Sequence, residues 1–165
     1  MRRQNPSIRP LAAARVVLLA LAAIMMQSVP SGAANCAGGP MLTVKDSQDG
    51  FAGKTGTIWT INADCSYEVA QFRGAEISAP HRRGQLTPEQ QAELAKVLAA
   101  AGLNSLPSQI GDIPPVNAHQ LSIEYQGRTI VLSLGMGNEA PDAKSGPAQR
   151  VIEVSNAVRA ATGIQ

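Results

Sequence analysis

The chain has 165 residues, with 14 Lys plus Arg against 12 Asp plus Glu. Arg2, Arg3, Arg9 and Arg15 precede every acid, so from residue 35 onward the balance is 10 basic against 12 acidic, a net charge of −2. The basic character of the whole therefore belongs to its first segment, and the remainder lacks the electrostatic footprint of a nucleic-acid-binding domain.

That first segment reads as an export signal. Four arginines lead into an eleven-residue apolar run, Val16–Met26, and Ser31-Gly32-Ala33-Ala34 then supplies small residues where a signal peptidase reads. The run is too short to cross about 30 Å of hydrocarbon at 1.5 Å per residue, which argues against an anchor. Asn35 before Cys36 breaks a lipobox, and Gln4-Asn5-Pro6 after Arg2-Arg3 is not a twin-arginine continuation. The expected organisation is a signal peptide over residues 1–34 and one domain over 35–165, periplasmic or secreted, with no membrane attachment after cleavage.

About 130 residues suffice for one core. Aromatic side chains are few (Phe51, Trp59, Tyr67, Phe72 and Tyr125), so packing must rest on Leu, Ile, Val and Ala. Cys36 and Cys65 both lie beyond the cleavage point, and in an oxidising compartment a structural disulfide between them is expected.

Met41–Lys45 is β-prone, with Leu42 and Val44 on one face. Asp46–Gly56 is rich in glycine and small polar residues and reads as a loop or a wide hairpin connection, with Phe51 in its middle. Phe51 and Lys54 are its candidate partner-contact residues. Asp46 and Asp49 do not reproduce the spacing of a calcium loop. Thr57–Asn62 places Trp59 and Ile61 on one face, with Ile58 as an apolar intruder on the other. Cys65–Phe72 continues as the second strand of a hairpin whose turn is Ala63-Asp64. Glu76–Ala79 is a possible edge strand. His81-Arg82-Arg83 follows as a loop cluster of positive charge, either a solvated loop or a site for an anion or an acidic partner.

Thr87 to Gly102 carries a complete set of helix signals. Thr87 and Gln90 form a capping box, Pro88 suits the first helical position, and Glu89 suits the positive end of the dipole. Leu94, Val97, Leu98 and Ala101 make one apolar stripe, with Gln90, Glu93 and Lys96 left for water. Gly102 is the left-handed stop, Leu103 and Leu106 turn back onto the helix, and Pro107 prevents its resumption. Ser108–His119 reads as a surface loop. Gln120–Tyr125 and Arg128–Leu134 alternate cleanly around a Gln126-Gly127 turn. Gly135–Ser145 is a second polar loop, and Pro147–Thr162 restores helical spacing up to Gly163. The resulting class is α+β: an antiparallel sheet of hairpins with two amphipathic helices packed on one face, a two-layer sandwich.

No nucleophile–base pair, metal-ligand spacing or phosphate loop occurs, so neither enzyme chemistry nor a cofactor is expected. Asp49–Gly53 (DGFAG), Ile58–Asn62 (IWTIN), LTPEQQAEL with its LNSLP exit, and the Tyr125–Ile130 hairpin occur in an order that resembles the emfourin family of bacterial protease inhibitors. The likeness covers most of Met41–Ala161 and rests on structural motifs. It implies a small α+β protein that blocks thermolysin-type metalloproteases, so the implied partner is a metalloprotease or another exported protein. The export signal, the cysteine pair and His81-Arg82-Arg83 depart from that pattern. The alternative is a non-enzymatic periplasmic structural or ligand-binding domain. Contact is expected through loops at one end of the sheet, Asp46–Gly56 and Gly135–Ser145.

Overall fold

The computed structural model describes residues 41–51, 53–112, 117–135 and 146–163. The expected signal segment, Cys36 and most of the loop after Gly135 lie outside the described residues. Among the described residues, eight strands form one sheet, and two helices cover one of its faces. The class is α+β.

The described residues open with a meander of β1 (Leu42–Gly50), β2 (Gly53–Ile61) and β3 (Ser66–Arg73). Two short strands share the outer edge of β3. One is β4 (Glu76–Ile77), opposite Phe72 and Arg73; the other is β5 (Arg82–Gln85), opposite Ser66 to Val69. Helix α1 (Pro88–Ala101) and a single 3-10 turn (Leu103–Ser105) lead to β6 (Gln109–Ile110). The chain then returns as the hairpin of β7 (His119–Tyr125) and β8 (Arg128–Gly135), and ends in α2 (Gly146–Thr162). β7 pairs with β1, which makes β1 central, and the order is β4-β3-β2-β1-β7-β8-β6 with β5 beside β3.

Register decides which face each residue serves. Val44 lies opposite Trp59 on one side and Ile123 on the other, Trp59 opposite Val69, and Ile123 opposite Ile130. This row, with Leu42, Ile61, Leu121 and Leu132, packs against Leu94 and Leu98 of α1 and Val151, Val154 and Val158 of α2. Val44, Val69, Ile123 and Leu132 are fully enclosed. Burying one such side chain contributes about 1.5–3 kcal/mol, so this layer supplies most of the driving force.

α1 follows its local signals closely. The Gln90 N–H donates to Thr87 Oγ1 at 3.3 Å, and Gln90 Oε1 accepts from the Thr87 N–H at 2.8 Å. Gly102 takes the left-handed conformation at φ 54° and ends the helix. Leu94, Leu98 and Ala101 are buried, Val97 is partly buried, and Leu103 and Leu106 close beneath them. One detail differs. Gln90 is not a solvent residue, because its Nε2 donates to the carbonyl of Ala161 at 2.9 Å and so ties the start of α1 to the end of α2.

Three segments depart from expectation. The region expected as a loop or wide hairpin connection, Asp46–Gly56, is a long β-hairpin, with β1 running through Asp46-Ser47-Gln48-Asp49 to Gly50. His81-Arg82-Arg83 is largely strand rather than loop. Ser108–His119 contains β6, which pairs in parallel with β8, and its last residue opens β7; the sheet is therefore mostly, not wholly, antiparallel. In each case pairing with neighbours on both sides, or along a free edge, overrides polar composition.

Candidate functional site

Three connections meet at one end of the sheet. Gly50 pairs with Gly53 at the β1–β2 tip, Gln48 pairs with His119 at the start of β7, and His119 pairs with Gly135 at the end of β8. The Asp49 N–H also donates to the carbonyl of Ala118 at 2.9 Å. The roots of Asp46–Gly56 and Gly135–Ser145 are thus neighbours, although residues 136–145 themselves lie outside the described residues.

The tip is narrow and well supported. Gly53 adopts φ 82°, a left-handed value that a side-chain-bearing residue disfavours, and it opens β2 directly opposite Gly50. β1 is paired as far as Gly50, and the Gly74 N–H donates to the Lys54 carbonyl at 2.6 Å on the β3 side. At the apex Phe51 has a relative exposure of 115%, against 60% for Ile77 and 52% for Met41. The hairpin holds Phe51 entirely in solvent on a short, doubly braced turn.

The other expected contact residues do not join it. Lys54 is half-buried, and its Nζ donates across the sheet to Gln120 Oε1 at 2.8 Å. Strand alternation separates the two arginines of the basic cluster. Arg82 reaches the carbonyl of Gly163 at 2.8 Å, just beyond α2, whereas Arg83 Nε donates to Glu68 Oε1 at 3.0 Å. His81 is exposed, and its backbone N–H donates to Val69. The cluster is an edge strand whose arginines serve two different faces, and it does not form one anion site.

Cys65 occupies the β2–β3 turn at φ 65° and is 4% exposed. A left-handed conformation costs a non-glycine residue about 1–2 kcal/mol. Asp64 supports the same turn: its Oδ1 accepts the Ser66 N–H at 2.9 Å and the Ser66 hydroxyl at 2.7 Å. Those bonds, the hydroxyl first, hold the Asp64 carboxyl below its ordinary pKa. There is no free cysteine among the described residues.

A group of charges not expected from sequence lies behind the tip. Asp46 Oδ1 stands 2.7 Å from His119 Nε2, and Asp46 Oδ2 accepts from Arg159 of α2. The Arg159 guanidinium also lies 5.1 Å from the centre of the Trp59 ring. Trp59 Nε1 and Arg159 Nε are buried without a hydrogen-bond partner among the described residues. Asp46 pairs with Leu121 and Thr57 in register, so it belongs to the helix-covered row and needs a cation to satisfy it. Its apparent place in a loop concealed this role. The group ties α2 to β1, β2 and β7. No group of three or more His, Cys, Asp or Glu among the described residues could hold a metal ion. No helix among them is long and apolar enough to cross a membrane.

No protein-family model matches the chain, and no curated protein matches it.

Proposed function

We propose that the chain is an exported, non-enzymatic protein-binding module whose task resembles that of emfourin-type inhibitors of thermolysin-like metalloproteases. The observation that carries this reading is Phe51. Single exposed apolar residues are common on protein surfaces. A fully exposed aromatic ring beside a hairpin ladder that is paired up to Gly50 and Gly53 is different, because the flanking backbone is already ordered and only the ring's own rotamer freedom is lost on binding. Aromatic side chains presented in this way are the usual anchors of protein interfaces. The partner would receive the ring in an apolar cleft, with the neighbouring connections forming the rim, and an occupied cleft would be closed to substrate.

The export reading rests on the arginine-rich start and the apolar run, and the pairing of Cys36 with Cys65 belongs to the same reading. The test is a titration of the purified, oxidised chain from residue 35 onward against a thermolysin-type protease. Stoichiometric loss of activity with the chain uncut is the expected result. Full protease activity at large excess removes the inhibitor reading. The alternative, a non-enzymatic periplasmic structural or ligand-binding domain, draws support from a cavity on the uncovered face of the sheet.

A further inference from the structure

The sheet face turned away from the helices is not the uniformly polar surface that a half-covered antiparallel sheet ordinarily presents. Ile58, Phe72 and Val131 lie on it, and Ile77, paired with Phe72, stands at its edge. Phe72 pairs with Gly56, and its ring comes close: a Cβ at that glycine would stand 2.9 Å from the ring and run into the Asp46 carbonyl. The absent side chain therefore leaves room for the ring at this position. Between these apolar groups is a cavity of about 370 Å³. That is within the range of small-ligand sites, roughly 300–1,000 Å³.

Its charged lining is one-sided. Among the described residues, Lys45 and Lys54 line the cavity and no Asp or Glu does. Both lysines are half-buried, and neither is in an ion pair among the described residues. Lys54 is held by the neutral amide of Gln120, which places its ammonium without neutralising it. Two half-buried cations beside an apolar hollow favour an anion whose body is itself apolar. We propose that this face binds a small aliphatic carboxylate, with the chain against Ile58, Phe72 and Val131 and the carboxylate between Lys45 and Lys54. The site is on the face opposite the Trp59 cluster and does not depend on the protein-binding reading.

Octanoate and its neutral counterpart 1-octanol are suitable probes, titrated into the oxidised chain from residue 35 onward and followed by backbone amide NMR shifts. Octanoate should saturate, with shifts concentrated at Lys45, Ile58, Phe72 and Val131. It should bind at least tenfold more tightly than octanol, and Lys45→Met with Lys54→Met should remove that preference while leaving the amide spectrum of the helices unchanged. Equal affinity for octanol, absence of saturation, or shifts centred on the hairpin tip each overturn the proposal. The octanoate–octanol comparison uses the unaltered chain and decides the matter even if the double variant fails to fold.

Discussion

At the scale of single residues, polar side chains settle questions that hydrophobic patterning leaves open. Asp46 is 24% exposed and answers to both His119 and Arg159. Asp46→Asn keeps the shape but removes the charge that both partners face. It should lower unfolding free energy by about 1–3 kcal/mol, below the range for a fully buried pair because water still reaches the group. Denaturant unfolding of the variant beside the parent chain checks this. Asp64 predicts a pH effect of defined sign. Its folded pKa is depressed, so its contribution is present above the ordinary carboxylate value of 3.8 and is lost as pH falls through the lower folded value. Glu89 behaves alike, held down by its own backbone N–H and then by the Thr87 hydroxyl. Thermal midpoints from pH 5 to pH 2 should fall less steeply in Asp64→Asn than in the parent, and identical slopes would contradict the assignment.

At the scale of elements, legibility followed locality. α1 could be read to the residue because its cap, its stripe and its stop are all encoded within sixteen positions. Thr87→Ala should therefore cost about 1 kcal/mol, measurable as a shift in the denaturation midpoint without a change of slope. The β7–β8 hairpin was equally local, since Gln126 and Gly127 take the positive φ values, 51° and 73°, that its tight turn needs. β1 was not local. Asp46-Ser47-Gln48-Asp49 has turn composition, and it is strand because β2 and β7 pair with it from both sides. The same non-local cause hid the Asp46–His119–Arg159 group, whose members are far apart in sequence. β5 was obscured similarly: three basic residues in a row suggest a patch, but the strand period of two sends Arg82 and Arg83 to opposite faces.

At the scale of the molecule, helices cover one face of the sheet among the described residues, and the core beneath them accounts for the fold. The proposed recognition surfaces, the hairpin tip and the hollow, lie outside that core. The fold class was readable from the succession of hairpins and helices, but the parallel pairing of β6 with β8 was not, because a two-residue strand leaves almost no periodic signal. The expected tie between Cys36 and Cys65 would fasten the start of the domain to the β2–β3 turn, at the end of the sheet opposite Phe51. Oxidised protein should exceed the Cys36→Ser, Cys65→Ser form by about 3–4 kcal/mol in unfolding free energy. Equal stability, with both thiols open to alkylation in the untreated protein, would remove the tether.

The most direct measurement of all compares the affinities of Phe51→Ala and the parent chain for the proposed thermolysin-type protease partner, taken alongside the unfolding midpoint. Because the ring is wholly in solvent, its removal should leave stability within about 0.5 kcal/mol of the parent. Binding should weaken at least thirtyfold, about 2 kcal/mol, as for a central interface anchor. Unchanged affinity in a chain of unchanged stability would contradict recognition through the hairpin tip.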